Sequence, residues 1–505
     1  MTLSKICDST LEYSFYLLFL LVPLVMTPWN FELFEYNKMM LTYALTVIIT
    51  AAWATKMIAA KKFLFKRTPF DIPLAIFFVF QFLSFLFSID RHTSFWGYYS
   101  RFHGGLLSTI TYLTLYFAFV SNFDKTKTLT AIRYTLVSAF LVSFYGILEH
   151  FGIDAKYWVQ DVKNRVFSTL GQPNWLAAYL LALIPLPLAF LLNKLNIRSN
   201  SQKPNYQLLI TNYQFHFYIL LFTLIALALF YTKSRSGLYS LIPVAGFFIS
   251  LLLLPKIFSL KKKILLPCLF FAAAILVVTG IFVLGKFSDQ LQSVGYIFGT
   301  NNDARIVPQK LGALGSPSSD IRKIVWRGAV DIFKEYPLFG SGIETFAYSY
   351  YQFKPIEHNI VSEWDFLYNK AHNEYLNFLA TTGAFGLGSY LLLIGWIFLW
   401  NVKTLIKTNR ERIETNEPMF AHSRKFSDIR VNSHILITAL FSGWFSILIT
   451  NFFGFSVVPV ALFFFLFPAF AVVLTKNEEP APIQKPAQKP YKPEAGNPYL
   501  IILIL

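Results

Sequence analysis

Five polar clusters interrupt an otherwise apolar chain: "FWGYYSRFHGG" around Arg101, "FSTLGQPNWLAAYL" around Asn174, "TKSRSG" around Arg235, "DIRKIVWRGAV" around Arg322 and "AHNEYL" around His372. Arginine presents a planar fork of donors that matches phosphate oxygens and keeps its charge at any biological pH. Histidine titrates near neutrality and can take a proton from a hydroxyl. Together these residue types fit chemistry on a phosphorylated substrate: cations hold a diphosphate while an imidazole moves a proton. His372 also stands at the mouth of "YLNFLATTGAFGLGSYLLLIGW", a run long enough to cross a bilayer. The free amides and dipole of a helix N-terminus there favour an anion. Trp326, Tyr348, Tyr350 and Tyr351 are candidates to stack on sugar rings.

Taken singly, each cluster has a structural explanation. Arg235 at a helix end can snorkel to the interface. "GQPN" reads as a turn and helix cap. Arg322 and Arg327 can form the basic edge of an amphipathic helix. His372 and Asn373 can cap the helix that follows. The chemical reading rests on the clusters meeting in space, which depends on the elements that carry them.

Those elements are membrane spans. Of 505 residues 55% are hydrophobic and only 14% charged, outside the range of soluble domains. The apolar runs are continuous and lack the period of two that a barrel strand requires. About twelve spans are expected, near residues 13–26, 39–57, 70–89, 106–120, 129–150, 175–192, 217–231, 238–254, 264–284, 376–400, 435–453 and 457–474. The prolines of "ALIPLPLAFLL" should kink the sixth. No cleavable leader is evident, so the first apolar run is expected to be the first span. Cys7 and Cys268 are not expected to pair.

The net charge of +17 could indicate a nucleic-acid partner, but the cations fall in alternate short connections, "KMIAAKKFLFKRT", "DKTKT", "NKLNIRSNSQK" and "PKIFSLKKK" among them. By the positive-inside rule these are cytoplasmic, as are both termini, and no nucleic acid is expected. All five polar clusters then fall on the outer side. The expected organisation is spans 1–9 over residues 1–285, an extracytoplasmic loop domain over 286–375, spans 10–12 over 376–475 and a flexible cytoplasmic tail over 476–505. Within the loop, "IRKIVWRGAVDIFKEYPLF" has helical spacing and an aromatic load suited to a membrane surface, whereas "GTNNDARIVPQKLGALGSPSSD" reads as mobile.

The order "WGYYSRFHGGLL", "GQPNWLAAYL", "SRSG", "EYPLFGSGIETF" and "AHNEYLNFLATTGAFGLG" resembles the O-antigen ligase and O-antigen polymerase superfamily of bacterial membrane glycosyltransferases. The likeness runs over residues 10–475, and its most specific parts are the last two motifs. It implies an all-α, GT-C-like polytopic fold in the bacterial inner membrane, with an outer-face site between bundle and loop. The donor it implies is a glycan on undecaprenyl diphosphate. The acceptor is a glycan, lipid or protein hydroxyl, and neither cofactor nor metal takes part. Carried over residue by residue, Arg235, Arg322 and His372 are catalytic, with Arg327 a second candidate cation. Arg101, Asn174, Trp326, Arg327, Asn373 and Tyr375 are expected to bind substrate.

In that mechanism Arg235 and Arg322 stabilise the diphosphate as the anomeric C–O bond breaks. His372 takes the acceptor proton or joins the clamp, and single displacement inverts the anomeric carbon. A ligase, a polymerase and a protein O-oligosaccharyltransferase would share this donor chemistry. Metal-assisted transfer would draw on Glu344, Glu357, Glu363, Asp365 and Glu374, though only "EWD" approaches an acidic pair. A lipid-linked glycan transporter would place its cations along a path through the membrane instead.

Overall fold

The structure, a computed structural model, describes residues 2–199, 213–259, 318–414 and 432–475. Those residues are helices and connections without strands. In chain order the helices are α1 Leu3–Leu21, α2 Glu35–Ala60, α3 Asp71–Leu86, α4 Arg91–Trp96, α5 Leu106–Asn122, α6 Lys125–His150, α7 Pro173–Leu183 and α8 Pro185–Ser199. They continue as α9 Tyr213–Tyr231, α10 Arg235–Ser259, α11 Ser318–Glu335, α12 Phe346–Phe353, α13 Glu374–Glu414, α14 Ser433–Phe452 and α15 Val458–Thr475. Among the described residues eight helical segments are long and apolar enough to cross a membrane, α7 and α8 counting together as one over Pro173–Asn193, and α3 and α5 are shorter apolar helices. The chain is an integral membrane protein. The expected ninth span, the first part of the loop, Cys268 and the tail lie outside the described residues.

Two departures from the expected spans have plain causes. The first helix begins at Leu3, ten residues before the apolar run. Its Asp8 and Glu12 are tolerated because Lys56 and Lys127 reach them at 2.6 and 3.1 Å. The sixth span divides into α7 and α8 at Pro185, where the sequence places its kink.

Helices apolar all round belong inside, and α14 and α15 are such helices. The indole of Trp444 on α14 donates to the Phe464 carbonyl of α15 at 3.0 Å, and Gly443 brings α14 so close to α7 that a Cβ would meet the Ala182 carbonyl at 2.1 Å. Peripheral helices instead expose apolar side chains such as Val47, Ile72 and Ile249, as a protein solvated by lipid does. The bundle has two polar ends. At one, Trp396 donates to the Pro69 carbonyl at 2.9 Å and Asn432 to Asn193 at 2.9 Å. The other gathers the starts of α2, α5, α7, α10, α13 and α15 with the ends of α1, α3, α6, α9 and α14. Buried Lys38 of α2 ties it together, donating to the Val25 and Thr169 carbonyls at 2.9 and 2.7 Å, while Glu35 accepts the Val458 amide at 2.8 Å.

The second half of the long loop folds on this end. Ile321, Val325, Ala329 and Ile332 lie along one face of α11 and bury against Phe346, Tyr350, Tyr368, Ala371 and Ala380. The apolar face therefore meets protein, where the sequence pattern alone also suited a membrane surface.

The two most specific sequence motifs form one joint. Ser341 and Gly342 donate to the Ala380 and Thr381 carbonyls at 3.1 and 2.9 Å, and Ala384 donates to the Pro337 carbonyl at 2.8 Å. Gly383 breaks α13 with φ 67°, and a Cβ there would lie 2.4 Å from the Leu338 backbone. Gly340 has φ +70°, and its Cβ would lie 2.2 Å from the Thr381 carbonyl carbon. Glycine is required at both, for backbone conformation and for closeness. Gly340→Ala and Gly383→Ala should each destabilise by on the order of 2 kcal/mol or more. Thermal unfolding in detergent checks this, with Gly388→Ala, where a Cβ meets nothing within 4 Å, as the neutral comparison.

Candidate functional site

Three of the sequence candidates converge on the turn between α14 and α15, two of them on Phe455 and the third on Phe453. Arg101 projects from the tightly wound 97–105 loop, whose Gly97 and Gly104 have φ of 92° and 87°. Its guanidinium lies 4.9 Å from the Trp175 ring centroid and 5.4 Å from that of Phe455. His372 packs edge-on to Phe455 and Tyr368, with centroids 5.6 and 5.2 Å apart. Arg322 comes from α11 and donates to the Phe453 carbonyl at 3.0 Å. Among the described residues neither arginine forms an ion pair with a carboxylate. Stacking holds the Arg101 head while leaving its charge for a ligand.

His372 sits with φ 54° in the turn that opens α13, and Asn373 accepts the Leu376 amide at 3.1 Å as the helix cap. The His372 ring contacts the Lys370 carbonyl through Nδ1 at 3.1 Å. A carbonyl only accepts, so Nδ1 carries the proton and Nε2 the lone pair. Burial, then Arg322 and Arg101, pull the imidazole down to about 4, against a smaller upward pull from the Lys370 carbonyl. The ring is therefore neutral at pH 7 and keeps a basic nitrogen beside two cations.

Residues 220–391 match the family model described as O-antigen ligase, Wzy_C. Over these residues the chain is similar to that family. The match supports the O-antigen ligase superfamily, whose members are generally ligases or polymerases. No curated protein matches the chain. Arg235, Arg322 and His372 lie inside the matched residues, whereas Arg101 and Asn174 lie outside them and reach the same end through the fold.

Arg235 is the first residue of α10 and is exposed. Ser234 before it receives the Gly237 amide at 3.2 Å and donates to Asn174 at 2.8 Å. Gly237 marks the crossing of α10 and α7, where a Cβ would meet that of Ala177 at 2.6 Å. Asn174 is followed by Trp175, the ring under Arg101, so the start of α7 joins Arg235 to the other cations. A second arginine sits nearby: Arg165 is depressed by burial and then by Arg235.

Other candidates have partners within the protein. Arg327 pairs with Glu357 at 2.6 Å, and Tyr375 donates to the Leu448 carbonyl at 2.9 Å. Trp326 is 3% exposed against Phe452, and Tyr350 is buried on His358, while Tyr348 and Tyr351 are exposed. Among the described residues no three His, Cys, Asp or Glu side chains come together as a metal site would require.

Sequence reasoning passed over the buried ion pair of Lys370 and Glu344, and buried His103 beside it. The pair's members stand in "NKAHNEYL" and "GSGIETF", so the signal was their place inside the two most specific motifs.

Because protonation of His372 is held off until about pH 4, a step that needs its lone pair persists as pH falls through 6 and is lost only near 4. The acid limb of a pH profile of kcat/KM reads this for the free enzyme. A limb near 6.5, the ordinary imidazole value, would contradict the description.

Proposed function

We propose that the protein transfers a glycan from undecaprenyl diphosphate to an acceptor hydroxyl at the outer face of the bacterial cytoplasmic membrane. The observation that carries this reading is that Arg101 and Arg322 both reach the 453–455 turn against which His372 packs, and both act on its neutral imidazole at the start of α13. Two unneutralised guanidinium groups and a helix N-terminus suit a diphosphate. Arg235 supplies a further cation from α10. The cations favour the bond-breaking transition state because charge grows on the diphosphate as the anomeric C–O bond cleaves.

In the proposed reaction the acceptor oxygen forms a bond to the anomeric carbon as that carbon's bond to the diphosphate breaks. The acceptor proton passes to His372 Nε2, and undecaprenyl diphosphate leaves. Backside attack inverts the anomeric centre. In this topology the termini are cytoplasmic, and the site end, where the polar clusters collect, faces outward. The site lies where a lipid headgroup would lie, which accounts for a polar tripeptide set against an apolar run.

A lipid-linked glycan transporter fits less well. Its cations would line a route to the opposite end, whereas Arg101, Arg165, Arg235 and Arg322 all belong to the same end. A second lipid-linked glycan as acceptor would make the protein a polymerase, and a protein hydroxyl would make it an O-oligosaccharyltransferase.

The test is transfer by the purified chain in nanodiscs, with a fluorescent undecaprenyl diphosphate glycan and acceptors supplied one at a time. His372→Ala, Arg322→Ala and Arg101→Ala should each lower the rate by about 10²-fold or more, with unfolding temperature unchanged. Full activity in His372→Ala, or lipid movement between leaflets without glycosidic transfer, would rule the reading out.

A further inference from the structure

Beside the arginine and histidine cluster lies a chamber of about 80 Å³ between α3, α5, α13, α15 and the 343–344 segment. One water needs roughly 10–15 Å³ on that measure, so the space corresponds to roughly five to eight waters, or on the order of 150–240 Å³ of liquid. That is the scale of one sugar ring. The amide nitrogen of Gln81 on α3 has no partner, although the residue is only 2% exposed, and Glu374 Oε2 is likewise buried without one. Both residues line the chamber. An unpaired donor and an unpaired acceptor inside a membrane bundle are costly unless something satisfies them, and such groups mark functional sites.

Charge and shape narrow the occupant. Lys370 pairs with Glu344, and Glu374 adds a second carboxylate, so the walls carry no net positive charge to draw a diphosphate. His103 is held neutral by burial and then by Lys370 and Arg101, down to about 3. Paired donors and acceptors suit hydroxyl groups, and the rings of Tyr112 and Phe464 provide an apolar floor. The Lys370 amine lies 5.8 Å from the Phe455 ring, which Arg101 and His372 also contact. Chamber and cation cluster therefore share a wall.

We propose that this chamber is a subsite for one uncharged sugar ring of the glycan, with Gln81 and Glu374 as its hydrogen-bonding partners. The proposal rests on the transferase reading. Lipid diphosphate and sugar divide between neighbouring compartments, the anion with the arginines and the polyol in the chamber, so that the anomeric carbon falls at the boundary near His372. The ring belongs either to the donor or to the acceptor end, and kinetics separate the two.

The probe is a set of methyl hexosides, methyl N-acetylhexosaminides and methyl deoxyhexosides, presented one at a time to the full chain in nanodiscs and followed by saturation-transfer NMR. At least one should give a signal that falls about tenfold in Gln81→Leu, as loss of a buried hydrogen bond to a ligand does. Ala461→Phe, which fills the chamber, should abolish that signal. Undecaprenyl diphosphate without sugar should leave it intact. Gln81→Leu removes an unpartnered amide and should leave the unfolding temperature unchanged, so it decides the matter even if Ala461→Phe does not fold.

In transfer assays a rise in KM for the donor assigns the ring to the donor, and a rise for the acceptor assigns it to the acceptor. No signal from any glycoside, a wild-type signal in Gln81→Leu, or displacement by undecaprenyl diphosphate alone would overturn the subsite. Wild-type KM values in a folded Gln81→Leu would sink the subsite and leave the transferase standing. Sugar binding without transfer to any acceptor would do the reverse.

Discussion

The site end depends on a helix that breaks where two backbones must touch. At Gly383 the chain leaves helical geometry, and residues 337–342 lie against the break so closely that a single methyl group at Gly340 or Gly383 would strike main chain. Four amides of the two strands of chain, those of Ser341, Gly342, Ala384 and Phe385, find carbonyls across the joint. This contact fixes the short first segment of α13, with His372 and Asn373 at its mouth, against the segment that follows α11 and Arg322. Side-chain oxygens reach in from α3 as well: Ser84 donates to the Thr381 carbonyl at 3.1 Å. The joint thus couples cap and bundle, and a flexible hinge there would let the two halves of the site part.

Electrostatics builds on that frame. Burial raises the cost of protonating the imidazole, and the nearby arginines raise it further, so His372 stays neutral. An anion bound by Arg101 and Arg322 would cancel part of that effect, making the histidine a better base when a diphosphate is bound. The aromatic floor of Trp175 and Phe455 matters because it orients Arg101 without neutralising it. Phe455 itself is placed by the turn that Glu35 caps through the Val458 amide. Residues from the 97–105 loop, α7, α11, the start of α13 and the 453–457 turn therefore meet from widely separated parts of the chain.

Much of this was legible in the sequence because membrane helices announce themselves by length and apolarity, and because the polar clusters stand out against them. The kink at Pro185, the helical spacing of α11 and the Asn373 helix start all follow from local rules. Other features depend on partners far along the chain. The charged first turns of α1 are unreadable without Lys56 and Lys127. Arg322 and Arg327 look alike on one helix, yet one meets a backbone carbonyl beside His372 and the other an acid at Glu357. Trp326 is buried against Phe452 of α14 and Tyr350 in the core that α11 and α12 share, which their aromatic character alone does not distinguish from an exposed sugar platform. The Lys370 and Glu344 pair was hidden because neither residue has a local reason to be buried.

The proposed transfer requires a neutral His372 beside cations that hold a diphosphate. Its most direct test is NMR of ¹⁵N-labelled histidine in the nanodisc-embedded protein, with the His372 signal assigned by substitution and titrated with and without undecaprenyl diphosphate. The account predicts the Nδ1–H form, protonation only near pH 4 in the free protein, and an upward shift when the diphosphate lipid binds. An imidazole that titrates near its ordinary value of about 6.5 and does not respond to the lipid would contradict it.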